Sequence, residues 1–283
     1  MKNIDLHVHS RYSLDADLTV SQLFETAREK NIEVLAIADH NLVAGTEEAM
    51  ALAPTDIKII PAVEFDCYYE GENVHIIGYN IDTRHPAIMD IVKYYYKLDL
   101  ENSGKMVEGV NRLGLGISVE EVRPYAKSEL IAGEDIADAL LNHPVWSKHP
   151  LMEPYHKGGA RSDAALLNFF FDFFAQGQPA SAYFDYFDYR VIIEAIHASG
   201  GKAVLAHPGR YSFEMEDLPG RKHGMDGWEI DSFYHSSEII EKYGRETRRQ
   251  GLIATSGSDF HGSVKPNIEI TAFQSDAADL LLK

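Results

Sequence analysis

Seven times along this chain a short apolar run carries His, Asp or Glu within it or at its end. The runs are Asn3–His9, Glu33–His40, Lys58–Phe65, Asn73–Tyr79, Lys202–Pro208, Asp226–Asp231 and Leu252–Asp259. Runs this short, rich in Val, Ile and Leu, suit buried strands of a mainly parallel sheet. The stretches between them have the helical period instead. Thr19–Lys30 puts Val20, Leu23, Phe24 and Ala27 on one face, with Thr19 placed to cap the first turn. Tyr189–Ser199 does the same with Val191, Ile192, Ala195 and Ile196 before Gly200-Gly201, and Ser236–Gln250 forms another helix ending near Gly251. Strand and helix in alternation predict an α/β domain whose sheet is open or closed.

The middle of the chain breaks this pattern. Residues 86–179 contain helical periodicity and no strand signal. Pro86–Leu113 reads as one long helix with a candidate break at Gly104, and Ser118-Val-Glu-Glu121 matches a capping box. Residues 162–175 form an aromatic-rich helix containing Phe169, Phe170, Phe171, Phe173 and Phe174. These rings, and the aromatics of Tyr183–Tyr189, could stack a base, but such rings mark a core more often than a base-stacking surface. The expected organisation is therefore an α/β domain built from residues 1–85 and 180–283, interrupted by a mainly helical insertion, 86–179. A chain of 283 residues is long enough to bury such a core.

Chemistry concentrates where the strands end. His7 and His9 are i and i+2 on a strand, so both imidazoles point the same way and reach one ion. Asp39 and His40, Glu64, His207, and then Asp259 with His261 occupy equivalent places in later runs. The ends of parallel strands form the rim on which α/β folds build their sites. A single histidine at such a place is usually a hydrogen-bonded structural residue. Six of the 13 histidines (7, 9, 40, 75, 207 and 261) lie at or beside predicted strand ends. That set, with its acids, points to metal binding.

The motifs carrying these residues are Asp5-Leu-His-Val-His9 through Asp15, Ala38-Asp-His-Asn41, Pro61-Ala-Val-Glu64, Leu205-Ala-His-Pro-Gly-Arg-Tyr211 and Gly257-Ser-Asp-Phe-His-Gly262. In order and in content they resemble the PHP (polymerase and histidinol phosphatase) superfamily. The helical insertion resembles that of its stand-alone metal-dependent phosphoesterases, which implies that residues 86–179 serve as a substrate cap. The resemblance implies a distorted seven-stranded (β/α) barrel and three divalent ions, Mn²⁺, Fe²⁺ or Zn²⁺. It assigns His7, His9, Glu64 and Asp259 to the first ion, Glu64, His75 and His207 to the second, and Asp15, His40 and His261 to the third. Asp39 is expected to orient a ligand, or else to cap a helix. The implied nucleophile is a hydroxide bridging two ions, with no side-chain nucleophile. The implied substrate is a nucleoside bisphosphate or the 5′ end of a short oligonucleotide. A cyclic sugar phosphate is the alternative, and a non-catalytic metal-binding module is the alternative of another class. An amidohydrolase uses similar histidine-rich barrels, but three ions favour phosphate.

Two departures bear on substrate. Nucleotide-hydrolysing relatives usually open a helix of the insertion with Gly-Arg-Pro-His, whereas Gly133-Glu-Asp-Ile136 stands here. Those relatives also tend to carry Arg before a His-Ser pair, where this chain has Tyr234-His235-Ser236. Candidate phosphate contacts are therefore Arg210, beside His207, then Lys157 and Arg161 in a glycine-containing loop, and His235, which could also act as an acid. The net charge of −18 argues against non-specific binding to duplex nucleic acid. The single cysteine, Cys67, excludes internal disulfides. No apolar run approaches membrane-spanning length and no signal-peptide core is present, so a cytoplasmic protein is expected. Nothing in the sequence speaks to oligomeric state.

Overall fold

The computed structural model describes residues 1–128, 130–175, 177–182 and 184–282. Backbone contacts divide the chain into two compact units. One comprises Met1–Lys93, Tyr186–Gly262 and Asn267–Lys283, and the other Tyr94–Asp185 with Ser263–Pro266. No helix among the described residues is long and apolar enough to cross a membrane.

The first unit holds the described strands. These are β1 (Lys2–Val8), β2 (Val34–Ile37), β3 (Lys58–Ile59), β4 (Ala62–Tyr69), β5 (Glu72–Tyr79), β6 (Lys202–Leu205), β7 (Gly227–Asp231), β8 (Ile253–Ser256) and β9 (Phe273–Ser275). They form a four-stranded sheet, β3-β2-β1-β9, and a five-stranded sheet, β4-β5-β6-β7-β8. The β1–β2, β2–β3, β6–β7 and β7–β8 pairs are parallel, as the aliphatic runs predict. The β4–β5, β5–β6 and β1–β9 pairs are antiparallel, and β9 has no counterpart among the predicted strands.

One predicted strand is corrected. Lys58–Phe65 is two strands in two sheets, because Pro61 has no N–H to donate and ends the β3 ladder. Glu64 therefore lies near the start of β4, and His75 lies inside β5 opposite Asp66. The β4–β5 turn is Glu70-Gly71, both with positive φ, the geometry of a two-residue hairpin.

No regular ladder among the described residues joins the two sheets into the seven-stranded barrel that the resemblance implies. Isolated parallel bridges, His40 to Glu64 and Val8 to Phe260, connect them instead. At these seams the Asn41 N–H donates to Glu64 O (2.8 Å) and the Asp259 N–H to His7 O (2.8 Å).

Period-two alternation sorts the strand residues. Ile4, Leu6, Val34, Ala36, Ala38, Ile77, Tyr79 and Val204 share one buried cluster. Leu35 and Ile37 turn the other way and pack with Val20, Leu23, Phe24 and Ala27 of helix α1 (Val20–Glu29). Thr19 caps α1 through a full capping box with Gln22. Helix α2 (Ala44–Leu52) follows β2.

Helix α3 (Pro86–Arg112) starts in the first unit and runs unbroken through Gly104. The second unit adds α4 (Val119–Val122), capped by Ser118 and Glu121, then α5 (Gly133–Asn142) and α6 (Ala165–Phe173). Its core gathers Val110, Leu115, Ile136, Leu140, Phe169 and Phe174. Phe169 stands 4.5 Å from the Phe173 ring and 5.1 Å from that of Tyr155, so these aromatics are spent on packing. Tyr183, also a candidate stacking residue, lies outside the described residues. The first unit resumes with α7 (Tyr189–Ala198) and α8 (Ser237–Gln250), which ends at Gly251 in the left-handed region (φ 67°), and closes with α9 (Ala277–Leu281).

Candidate metal centre

The site is assembled around β1. His7 lies in β1 and His9 one residue past its end, on the face opposite Ile4 and Leu6. The segment after β8 runs beside them, held by the Asp259 N–H to His7 O and the His9 N–H to Phe260 O (2.9 Å). That approach requires glycine at 257, where a Cβ would come within 2.3 Å of His7 Cβ. Asp259 and His261 are thereby set against the two histidines. His207 follows β6 by two residues, and Glu64 and His75 come from the β4–β5 hairpin.

The hydrogen bonds behind the rings decide what the rings present. His7 Nδ1 lies 3.0 Å from Glu229 Oε1. A carboxylate only accepts, so Nδ1 carries the proton and Nε2 faces inward with its lone pair. His9 Nδ1 lies 2.9 Å from Ser13 Oγ, and that hydroxyl spends its single hydrogen on Asp39 Oδ1 (3.0 Å). His9 therefore also donates from Nδ1 and presents Nε2. His261 Nδ1 donates to the backbone oxygen of Asp259 (2.8 Å), which again leaves Nε2 inward.

These donors converge. The Nε2 atoms of His7 and His9 are 3.1 Å apart. Glu64 Oε2 is 3.3 Å from the first and 3.4 Å from the second, while Asp259 Oδ1 is 3.5 Å and 3.1 Å away. Glu64 Oε1 meets His75 Nδ1 at 3.0 Å and His207 Nε2 at 3.1 Å. Glu64 Oε2 and His40 Nδ1, 3.1 Å apart, are both buried and make no hydrogen bond. Asp15 Oδ2 lies 3.1 Å from His261 Nε2 and 3.7 Å from His40 Nε2. Three groups of ligand atoms are each compact enough for one ion: His7, His9, Glu64 and Asp259; His40, Glu64 and His75; and His9, His40 and His261. Lone pairs facing lone pairs in a buried space repel unless a cation or protons sit between them. Imidazole and carboxylate donors of this kind suit zinc, iron and manganese, so the residues fit divalent ions.

Electrostatics agree. Burial would lower the His7 imidazole, but Glu64, Glu229 and Asp259 raise it well above its ordinary value. Burial likewise opposes protonation of His75, yet Glu64 and Asp66 raise it to about 10. Burial would raise Glu64, but His7, His75 and His40 hold it well below the usual carboxylate range. His207 and His40 are lowered, chiefly by burial. Such a cluster attracts positive charge strongly, and metal and protons compete for it. Its backbone is also strained. Asn41, His207 and Asp259 adopt positive φ (58°, 28° and 58°), which costs about 1–3 kcal/mol for each non-glycine residue and tends to occur at functional sites.

The other candidate residues divide. Asp39 is buried behind the cluster, accepts from Ser10 N, Ser10 Oγ and Ser13 Oγ, and reaches His9 through Ser13. The Arg210 guanidinium lies 4.6 Å over the Tyr234 ring and 4.0 Å from Asp259 Oδ2. His235 is corrected: Nδ1 donates to Ile230 O and Nε2 accepts the Gly209 N–H, both at 2.9 Å. Neither ring nitrogen is left for a phosphate or a proton transfer, so its place is structural. In the second unit, Arg161 commits its Nε and Nη2 edge to Asp172 (2.9 and 2.8 Å), and Lys157 is exposed.

Sequence reasoning missed Glu229, Asp66, Ser13, Tyr234 and Tyr211, whose hydroxyl accepts the His75 N–H at 2.8 Å and lies 3.3 Å from His207 Nδ1. Glu229 is fully buried and holds both His7 Nδ1 and the His207 N–H (2.9 Å). Asp66 faces His75 Nε2 at 3.1 Å and accepts from Asn41 Nδ2 at 2.7 Å. An acid inside an aliphatic run, as in Gly227-Trp-Glu-Ile-Asp231, was the available signal for Glu229. For Asp66 it was the i, i+2 spacing from Glu64.

An α/β fold with a buried cluster of histidines and carboxylates on neighbouring strands is suited to holding divalent cations. The chain belongs to the PHP domain family, which it matches over residues 5–281. It is 30% identical over 268 residues to the 3′,5′-nucleoside bisphosphate phosphatase of Chromobacterium violaceum, covering 92% of this chain and 88% of that one. It is 27% identical over 267 residues to the phosphoribosyl 1,2-cyclic phosphate 1,2-diphosphodiesterase of Eggerthella lenta, covering 91% and 94%. Its fold is similar to that of an amidohydrolase from Chromobacterium violaceum solved with bound sulfate and no metal. That match has a TM-score of 0.79 and 28% identity, over 97% of this chain and 93% of the other.

Proposed function

We propose that this protein, a metal-dependent phosphoric ester hydrolase, uses three divalent ions to cleave a small phosphate ester, a nucleoside bisphosphate or the 5′ end of a short oligonucleotide. The observation that carries this reading is Glu64, whose two oxygens face five histidines from four parts of the chain. The assignment places one ion on His7, His9, Glu64 and Asp259, a second on Glu64, His75 and His207, and a third on Asp15, His40 and His261. Three divalent charges against Asp15, Glu64 and Asp259 leave a net of about +3, suited to a phosphate dianion. Bound ions supply Lewis acidity and lower the pKa of water towards about 7.

The chain's own groups supply the rest. Glu229 and Ser13 hold His7 and His9 in the tautomer that can ligate. Arg210 presents a planar cation beside Asp259, placed to bind phosphoryl oxygens. The same reading places β1, β2 and β4 to β8 in a distorted barrel, supported by the two seams of isolated bridges.

A cyclic sugar phosphate is the second reading. It is favoured by the acidic Gly133-Glu-Asp-Ile136 and by the likeness to the Eggerthella diphosphodiesterase. Turnover of nucleoside 3′,5′-bisphosphates, 5′-phosphorylated dinucleotides and cyclic ribose phosphates with Mn²⁺ separates the two. Cleavage of the first or second substrate is expected. Exclusive cleavage of the cyclic ester overturns the first choice, and bound metal with no turnover of any ester points to a non-catalytic module.

A further inference from the structure

Two loops beside the cluster are locked together by one histidine. The loop after β6 carries His207-Pro-Gly-Arg210, and the loop after β7 carries Ser232-Phe-Tyr-His235. His235, at the end of the second loop, accepts the Gly209 N–H of the first and donates back to Ile230 O of β7, so its ring ties the two loops together. The contact is close, since a Cβ at Gly209 would stand 2.6 Å from the His235 ring. Tyr234 and Arg210 are therefore held side by side, with the guanidinium carbon 4.6 Å from the ring centre.

The tyrosine also reaches inward. Its hydroxyl lies 2.5 Å from Asp259 Oδ2, and because a carboxylate only accepts, the hydroxyl is the donor. The other oxygen, Oδ1, faces His9 Nε2 and His7 Nε2 at 3.1 and 3.5 Å. The two oxygens of Asp259 are thus divided, one towards Tyr234 and one towards the histidines. Asp259 is also in the left-handed region (φ 58°), a strained conformation that persists only where its surroundings hold it.

We propose that Tyr234 is a positioning residue with two separable jobs. Its hydroxyl turns Asp259 so that Oδ1 addresses the metal cluster, and its ring is the shelf that presents the Arg210 guanidinium to the phosphoryl group. The second job rests on the reading of Arg210 as a phosphate contact. The aromatic face attracts the cation while leaving its N–H edge available, which suits an arginine that must grip an incoming anion.

Two variants separate the jobs, since Phe keeps the ring and loses the hydroxyl while Leu loses both. Mn²⁺ affinity is measured by calorimetry on the metal-free protein. Inorganic phosphate affinity is measured on the full chain at saturating Mn²⁺. Tyr234→Phe should weaken Mn²⁺ binding about 10- to 100-fold, the usual effect of losing a group that orients a ligand, with phosphate affinity unchanged. Tyr234→Leu should lose Mn²⁺ affinity equally and also weaken phosphate about 5- to 30-fold, through loss of the cation–aromatic contact.

A purely structural role would weaken both affinities together in both variants and would overturn the proposal. Wild-type Mn²⁺ affinity in Tyr234→Phe refutes the hydroxyl's job. Equal phosphate affinity in the two variants refutes the shelf. Arg210→Gln is the control: if it binds phosphate as the wild type does, the underlying role of Arg210 has failed, whatever the Tyr234 variants do.

Discussion

Glu229→Gln is the sharpest test of how this site is held. The side chain is fully buried and accepts two hydrogen bonds, from His7 Nδ1 at 3.0 Å and from the His207 backbone N–H at 2.9 Å. Glutamine keeps the shape but offers one accepting oxygen and one donating NH₂. If the NH₂ faces His207, a buried backbone N–H is left against another donor, at a cost of about 1–3 kcal/mol. If it faces His7, the imidazole must accept at Nδ1 and carry its proton on Nε2, 3.3 Å from Glu64 Oε2, where it can no longer ligate. The first outcome disturbs the backbone that carries His207 and the second disables His7, so either weakens an ion site that shares Glu64. The expected loss of metal affinity is about 10- to 100-fold, equivalent to about 1.4–2.8 kcal/mol. Mn²⁺ or Zn²⁺ calorimetry on the metal-free protein measures it, and nitrogen-detected NMR of the histidine rings reports the His7 tautomer. Wild-type affinity together with an unchanged Nδ1–H tautomer would falsify the claim that Glu229 sets the ligand.

Three further outcomes follow from the same geometry. Gly45→Ala puts a Cβ 1.8 Å from Asp39 Oδ2 and 2.6 Å from Ser10 Oγ; displacing Asp39 should cost about 1–3 kcal/mol from overpacking alone, and an unaltered denaturation midpoint would count against a rigid Asp39 network. For metal-free protein, the raised His75 (about 10, ordinarily 6.5) contributes stability fully below pH 6.5 that is lost as pH rises towards 10. The depressed Asp66 (about 2, ordinarily 3.8) contributes stability above pH 3.8 that is lost as pH falls towards 2. Together these two groups favour the window between pH 3.8 and 6.5, and the lowered His40 and His207, which lose stability as pH falls below 6.5, shift the optimum to its upper end; a urea profile of chelator-treated protein still rising from 6.5 to 10 contradicts the pairing of His75 with Glu64 and Asp66. Adding Mn²⁺ back should raise the melting temperature, with about 2.7 kcal/mol gained at a hundredfold excess over Kd; no shift means that the native state holds no such ion.

Much of this molecule is local and was readable as such. The aliphatic runs, the helical faces, the cap at Thr19, the capping box at Ser118 and the His7-Val-His9 spacing depend on residues a few positions apart, where period and cap chemistry act directly. The unbroken α3 and the antiparallel β4–β5 hairpin were less legible, because a helix tolerates one glycine and Pro61 redirects the chain without saying where it goes. What only the tertiary structure decided is which groups stand behind the ligands. Glu229 reaches His7 across 222 positions and Glu64 reaches His207 across 143. Tyr234 meets Asp259, and both nitrogens of His235 are taken by backbone from β7 and the preceding loop. Residue type and spacing select the chemistry that a side chain can do. Whether its lone pair points at a cation or at a neighbouring N–H is settled by strands brought together from distant parts of the chain, and no local pattern encodes that pairing.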